Sequence, residues 1–227
     1  TTARRLHHGY QEYLRLLEQS SFKLEFCQGV IYAMAGGTPT HAELSVNTAA
    51  ILKRELTKCS VFSSDLKVRI ERTDLSAFPD ASVVCGPLES SSIDRNALTN
   101  PVILVEVTSP STEDYDRGEK LSHYKQLPSL SAVLFVSHRT QRITVVRRGA
   151  TGWEELEFRA GERLVATAGI HRGDVRPPGR HAGAARAGLG WIPAASWRAR
   201  RALAAAGGRA GLQARRRSAG HLRPVRR

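Results

Sequence analysis

The sequence is poor in the residues that build disulfide-rich, zinc-clustered or membrane-spanning proteins. Its 227 residues include three cysteines, one methionine and 6% aromatic residues. Cys27, Cys59 and Cys85 are odd in number and form no Cys-x-x-Cys pair, so we expect reduced, half-buried thiols and neither a disulfide framework nor a zinc site. No stretch approaches the roughly 18 apolar residues of a membrane span, and residues 1–10 lack the apolar core of a secretory signal. These absences predict a soluble, cytoplasmic protein.

Several nucleotide and metal motifs are also missing. The chain contains no Gly-x-x-x-x-Gly-Lys, no Gly-x-Gly-x-x-Gly and no His-Glu-x-x-His. The sequence therefore lacks the motifs required for P-loop nucleotide hydrolysis, dinucleotide redox chemistry and zinc proteolysis.

Lysine is absent from the C-terminal region, which is rich in arginine. Residues 171–227 hold 14 arginines and one acid, Asp174, whereas residues 1–170 hold 20 basic and 20 acidic residues. The whole net charge of +13 thus belongs to the tail and says nothing about partners of the preceding part. We predict a domain over 1–170 and a disordered Ala/Gly/Arg-rich tail over 171–227.

Two hypotheses explain the composition of this tail. Arginine without lysine is typical of GC-rich coding read in an unusual frame, which favours a frameshifted or read-through end. The alternative is a functional arginine-rich arm.

Apolar periodicity predicts the elements of the first half. Residues 10–19 have the spacing of one helical face, and residues 23–35 indicate two short strands around a tight turn at Gln28-Gly29. Residues 41–58 predict a helix capped by Thr40, with Glu43 in the capping-box position and apolar residues at 42, 46, 49, 52 and 56.

The second half alternates strands with one helix. Strands are predicted at 61–62, 66–70, 78–85, 102–108, 131–137, 141–147 and 153–159, with a polar loop at 86–100. A helix capped within 109–112 is predicted to run to about residue 127. The order predicts an α/β (α+β) fold with a mixed β-sheet flanked by helices.

Two carboxylates stand out chemically. Glu106 interrupts the otherwise apolar strand 102–108, and burying an ionised carboxylate costs several kcal/mol unless a cation or proton lies against it. Asp80 follows Pro79 at the start of an earlier strand. If these strands are neighbours, the two acids can hold one divalent metal. Thr108 cannot supply a cation, so Lys120, about two turns into the following helix, is the candidate.

Each of these residues also has a structural interpretation. Asp80 could be a polar strand start, Glu106 could pair with a buried basic residue, and Lys120 could form a surface ion pair with Asp116 four residues before it. Glu25 could face solvent, and His41 is interpreted as a cap-region or packing residue. The basic residues of strand 66–70 and its end could touch phosphate or line a solvated face; they are Lys67, Arg69 and Arg72.

Four blocks of sequence resemble the "Uma" family of restriction endonuclease-like proteins, in the PD-(D/E)XK nuclease superfamily. They are Leu-Glu25-Phe-Cys-Gln-Gly-Val-Ile-Tyr, Pro79-Asp80-Ala-Ser-Val-Val, Glu106-Val-Thr-Ser-Pro-Ser-Thr and Asp116-Arg-Gly-Glu-Lys120-Leu-Ser-His-Tyr124. The resemblance covers roughly residues 10–168. The chain departs from the pattern at Thr108, where the superfamily has lysine, and in the arginine-rich tail.

The resemblance implies a Mg²⁺-dependent DNA endonuclease, with Mn²⁺ as a substitute. Asp80 and Glu106 would hold the metal, Lys120 would replace the missing lysine, and Glu25 would be an additional acid. A homodimer would let two sites cut both strands. The alternatives are a catalytically silent nucleic-acid-binding or interaction domain that retains the fold, and a defective fragment that does not fold.

Overall fold

The structure is a computed structural model that describes residues 7–34, 36–162, 164–166 and 170–172. The tail predicted for 171–227 lies outside the described residues apart from 171 and 172, so its disorder and the boundary at 170 stay predictions.

The first elements form a helix, a hairpin and a second helix. They are α1 (Tyr10–Gln19), β1 (Leu24–Cys27), β2 (Val30–Ala33) and α2 (Pro39–Glu55). The hairpin turns at Gln28 and Gly29, whose φ angles of 48° and 84° lie in the left-handed region. Glycine tolerates this region best, because it has no Cβ. The α1 helix and this turn are confirmed as predicted.

The rest of the chain is rich in strands. Six follow α2: β3 (Ser60–Ser63), β4 (Lys67–Ile70), β5 (Leu75–Ala77), β6 (Ala81–Val84), β7 (Ser90–Ser91) and β8 (Asp94–Leu98). The helical segment after β9 (Ile103–Thr108) consists of α3 (Glu113–Tyr115), a π-helical turn (Asp116–Lys120) and α4 (Leu121–Tyr124). The last strands are β10 (Ala132–Ser137), β11 (Arg142–Arg148), β12 (Trp153–Arg159), β13 (Leu164–Ala166) and β14 (Ile170–Arg172).

The strands form two six-stranded mixed sheets and one small hairpin. The first sheet has the order β2-β1-β5-β4-β8-β7, and the second has the order β12-β11-β10-β9-β6-β3. Strand β9 lies inside the second sheet, parallel to β10 and antiparallel to β6. The predicted mixed α+β class is confirmed, with the strands divided between two sheets.

Side chains of β9 point alternately to the two faces of the second sheet, and both faces are buried. Val105 and Val107 pack with Leu44 and Leu52 of α2 in one core cluster. Leu104 packs on the other face with Tyr124 of the helical segment and with residues of the first sheet. Since side chains alternate along a strand, Glu106 lies on the face of Leu104, beneath the helical segment.

Two predictions about α2 are wrong in detail. Its N-cap is Thr38, whose hydroxyl accepts a hydrogen bond from the His41 N–H, instead of Thr40. Its buried face contains Leu44, Thr48 and Leu52, whereas Val46 is 67% exposed. Pro39 explains the earlier start, because its fixed φ and missing N–H suit the first helical turn.

The polar segment 86–100 is not one loop, because it contains β7 and β8. Strand β8 pairs with β4, and the ion pair between Asp94 and Lys67, at 2.6 Å, joins the same two strands. Pairing with an existing strand thus overrides the weak strand propensity of Asp, Arg and Asn.

The expectation that all three cysteines are reduced is wrong. Cys59 and Cys85 form a disulfide, and only Cys27 is free. The two cysteines flank the β3–β6 ladder, in which Ser60 pairs with Val84, so the strand pairing itself brings them together. Their separation of 26 residues in sequence gave no indication of this contact.

No helix among the described residues has both the length and the apolar character needed to cross a membrane.

Candidate active site

Lys120 lies at the centre of a buried group of carboxylates. Its Nζ is 2.9 Å from Glu106 Oε1, 3.3 Å from Glu25 Oε1 and 3.6 Å from Asp116 Oδ1. All four side chains are buried. The interpretation of Lys120 and Asp116 as an ordinary surface ion pair is therefore wrong, and Glu25 does not face solvent.

Three elements supply these residues. Glu25 comes from β1 in the first sheet, Glu106 comes from β9 in the second, and Asp116 and Lys120 come from the π-helical turn between them. Leu121 and Tyr124, which begin and end α4, are buried in the core, and this burial holds Lys120 over β9. The predicted apolar face of this helix, Leu121, Tyr124 and Leu127, is confirmed as buried.

Glu106 is the most strongly perturbed acid of the group. Burial raises its pKa to about 8; the neighbouring Lys120 opposes this rise, while the negative charges of Asp116 and Asp80 add to it. The Tyr124 hydroxyl donates a hydrogen bond of 2.6 Å to Glu106 Oε1. Burial alone would lower the pKa of Lys120, but the surrounding acids, led by Glu106, raise it well above its ordinary value, so the ammonium stays charged.

Asp80 is held on the α2 side of the same strand end. Its Oδ2 accepts a 2.7 Å hydrogen bond from the Val107 N–H and lies 3.3 Å from His41 Nε2. Its Oδ1 accepts a 3.1 Å hydrogen bond from the Ser45 hydroxyl. The hydrogen bond to Asp80 raises the pKa of His41. These contacts make Asp80 a fixed group and not merely a polar strand start.

The register of β6 and β9 relates Asp80 to Glu106. Ala81 pairs with Val105 in the antiparallel ladder. Asp80 directly precedes Ala81, and its carboxylate accepts the hydrogen bond from the Val107 N–H, so it lies beside the end of β9 that carries Glu106, as expected if the two strands are neighbours. The structure thus brings Asp80, Glu106, Glu25 and Lys120 to one end of the β6–β9 pair.

Three further residues belong to this site and are missing from the predicted set. His41 contacts Asp80, Asp116 contacts Lys120, and Tyr124 contacts Glu106. Two signals could have found them: the spacing of Asp116, Lys120 and Tyr124 at intervals of four residues, and the spacing of His41 and Ser45 on one side of a helix.

The basic residues of β4 are internal. Lys67 pairs with Asp94 at 2.6 Å, and Arg69 pairs with Asp74 at 2.5 Å while its guanidinium stacks on the Tyr10 ring. Both are buried, so neither lines the solvated face considered from the sequence. Arg72 is exposed at the end of β4.

The donor set fits a hard divalent cation. Four carboxylates converge here, from Glu25, Asp80, Glu106 and Asp116, against one buried ammonium and the imidazole of His41. Buried like charges are costly unless cations offset them, and carboxylate oxygens are the ligands that Mg²⁺ and Mn²⁺ prefer. The residue types therefore suit such an ion.

Comparison with known proteins identifies the family of the chain. Residues 10–176 match the model of the Uma2 family, described as "Putative restriction endonuclease". The chain belongs to the Uma2 family, and the predicted family is confirmed.

Relatives and a solved structure extend the match. "Uncharacterized protein slr1290" of Synechocystis is 38% identical over 157 residues, which cover 68% of this chain and 82% of that protein. "Uncharacterized protein sll1609" of the same organism is 30% identical over 134 residues, covering 58% and 76%.

A crystal structure of "a putative nuclease belonging to DUF820" from Anabaena variabilis is similar in fold. It superposes with a TM-score of 0.57 at 18% identity, covering 69% of this chain and 87% of that chain. At this identity the match concerns the fold alone.

Proposed function

We propose that this protein is a Mg²⁺- or Mn²⁺-dependent DNA endonuclease whose metal ligands are Asp80 and Glu106. The observation that carries the proposal is the convergence of three carboxylates on Lys120, with a fourth, that of Asp80, held by the Val107 N–H at the end of β9. Membership of a restriction endonuclease-like family supports phosphodiester hydrolysis as the reaction.

The protein groups have separate tasks in this proposal. The Val107 N–H and the Ser45 hydroxyl fix the direction of the Asp80 carboxylate, and Tyr124 fixes Glu106. The bound metal would polarise the scissile phosphate and lower the pKa of a water molecule beside it. Lys120 offsets the negative charge that develops on the phosphate and orients the attacking water, and Glu25 holds Lys120 from the first sheet.

His41 acts as a positioning residue for Asp80. Its Nε2 lies 3.3 Å from Asp80 Oδ2, and it lies in the first turn of α2, whose buried residues pack on the second sheet. The imidazole thus orients one ligand from the side opposite to Lys120.

The charge distribution indicates how DNA would bind. Because residues 1–170 carry equal numbers of basic and acidic groups, a local surface and not the global charge of this part must attract the phosphate backbone. We expect its affinity to fall steeply with salt, as for other phosphate contacts. A cytoplasmic location and a homodimer that cuts both strands remain parts of the proposal.

The test is cleavage of plasmid and oligonucleotide DNA by the full chain with Mg²⁺ or Mn²⁺, against EDTA. Asp80→Asn and Glu106→Gln should each lower the rate about 100-fold or more. Asp65→Asn is the matched control, because this aspartate is 84% exposed and contacts Lys23 and Ser63 at the surface. Cleavage that persists in both site variants, or no cleavage by the folded protein with either metal, would overturn the proposal; DNA binding without cleavage would identify a silent binding domain.

A further inference from the structure

A second cluster of ligating side chains lies beside the carboxylate site and shares no residue with it. Cys27 Sγ is 3.6 Å from His123 Nε2 and 3.8 Å from Glu119 Oε1. The three atoms all lie within 4.8 Å of one another. Cys27 ends β1, whereas Glu119 and His123 are four residues apart on the helical segment.

The two separations from the sulfur are close to those of a tetrahedral zinc site. Zn–S bonds of about 2.3 Å and Zn–N or Zn–O bonds of about 2.1 Å, at a tetrahedral angle, place sulfur about 3.6 Å from the nitrogen or oxygen ligand. The observed distances are 3.6 Å to His123 Nε2 and 3.8 Å to Glu119 Oε1.

The donor types of the cluster also suit Zn²⁺. A cysteine sulfur, a histidine nitrogen and a carboxylate oxygen are the three ligand types that zinc takes in proteins. His123 is buried and directs Nε2 at the sulfur, and its Nδ1 has no hydrogen-bond partner in the described part of the chain.

We propose that Cys27, Glu119 and His123 form a second metal site that binds Zn²⁺ through a thiolate, a carboxylate and an imidazole. Its soft sulfur ligand separates it chemically from the oxygen ligands of Asp80 and Glu106. Glu119 is exposed, so the fourth position faces solvent.

The site would link the two elements that hold Lys120. Glu25 precedes Cys27 by two residues on β1, and Lys120 follows Glu119 directly. A metal bridging β1 and the helical segment therefore fixes the ion pair between Glu25 and Lys120, which joins the same elements at 3.3 Å.

Co²⁺ is the spectroscopic probe for this site. Without reductant the Cys59–Cys85 disulfide stays closed, so Cys27 is the one free thiol of the three cysteines. We expect Co²⁺ to give a thiolate-to-cobalt charge-transfer band and the intense visible bands of tetrahedral cobalt, and Zn²⁺ to displace it. Both signals are independent of nuclease activity.

The variants decide whether the signal comes from this cluster. Cys27→Ser should abolish the charge-transfer band, and His123→Gln should weaken the affinity for Co²⁺ by at least about tenfold, since even outer contacts of metal sites are worth that much. His8→Gln is the matched control, because His8 pairs with Glu12 at 3.1 Å with the same spacing of four residues. Asp80→Asn tests independence from the carboxylate site, and neither control should change the spectrum.

The absence of a charge-transfer band at saturating Co²⁺ would overturn the proposal and leave a hydrogen-bonded thiol. A band that survives in Cys27→Ser would do the same. If Cys27→Ser does not fold, as judged by circular dichroism, His123→Gln decides, and an unchanged affinity in that variant overturns the site.

Discussion

Lys120 is the buried cation on which three carboxylates of the candidate site converge. It is 3% exposed and contacts three carboxylates, so its ammonium carries most of the positive charge in this part of the core. Removing one partner of a buried ion pair leaves an uncompensated charge, which is costlier than losing the pair itself.

We predict that Lys120→Met destabilises the metal-free protein by about 3–5 kcal/mol. Urea unfolding in the presence of EDTA measures this. Lys53→Met is the control, because Lys53 is exposed at the end of α2, and its loss should change stability by less than about 0.5 kcal/mol. Equal stabilities of the two variants would show that Lys120 does not compensate the carboxylates.

Glu106 gives the protein a pH dependence of a definite sign. Its pKa is about 8 in the folded state against an ordinary value of 4.5. Between these values the folded state holds a proton that the unfolded chain has lost, so stability falls as pH rises from about 4.5 to about 8 and levels off above.

We predict that Glu106→Gln reduces this slope, because the amide does not titrate. The free energy of unfolding, measured with EDTA from about pH 5 to about pH 9, should fall less steeply for this variant than for the natural sequence. The two total decreases should differ by an amount on the order of a few kcal/mol. Glu89→Gln, at an exposed position, should retain the slope of the natural sequence. A slope unchanged in Glu106→Gln would assign the titration to another group.

At the scale of elements, the π-helical turn is the distinctive feature. It lies between α3 and α4, and it contains both Asp116 and Lys120. A π-helical turn inserts one residue into a helix and is energetically unfavourable, and such turns are frequent at functional sites. Here it carries the two residues that meet over β9.

We predict that Gly118→Ala stabilises the protein by about 0.5–1 kcal/mol. Gly118 lies in the helical turn, and an added Cβ would meet nothing within 4 Å, so alanine lowers the entropy of the unfolded chain without a clash. Gly29→Ala is the contrasting variant, because Gly29 has a φ of +84° and an added Cβ would lie 2.6 Å from the His7 ring. Urea unfolding should give opposite signs for the two variants.

The sequence predicts those helices and strands whose apolar pattern is contained within the segment itself. The apolar run around Glu106 predicts β9, and the spacing of 10–19 predicts α1, because burial on one or both faces dictates each pattern. Strand β8 is not predictable this way, because Asp94, Arg95 and Asn96 become a strand only through pairing with β4.

The residues of the candidate site also divide into those that the local sequence predicts and those that it does not. An acid inside an apolar strand is visible in sequence, so Glu106 is predicted as a candidate, and Asp80 is predicted from its place after Pro79 at a strand start. The position of Lys120 in the following helix makes it the candidate cation, and the resemblance to a family adds Glu25. His41 and Tyr124 are not found, since their contacts depend on how α2 and α4 pack against the second sheet. Tertiary packing, which no local pattern records, brings these partners together.

At the scale of the whole molecule, the Cys59–Cys85 disulfide closes the chain between β3 and β6. These strands form one edge of the second sheet, and β6 follows directly after Asp80. The disulfide thus joins the edge of this sheet to the strand that leads out of the site.

We predict that reducing this bond destabilises the protein by roughly 3 kcal/mol, the loop-closure value for a separation of 26 residues. Thiol titration of the denatured chain should find one free cysteine without reductant and three with it. Cys27→Ala serves as the control, since it should leave no titratable thiol before reduction. Three thiols in the unreduced protein would show that the disulfide does not form.

Lys120 also affects how the protein behaves when divalent metal is absent. A counter-ion that is part of the chain cannot be dialysed away, so the carboxylates are partly neutralised even where divalent metal is scarce. Folding should therefore not require metal, even though the proposed cleavage does. We expect the protein to accumulate and store intact in chelator, and under the proposed function cleavage would start only when metal is added.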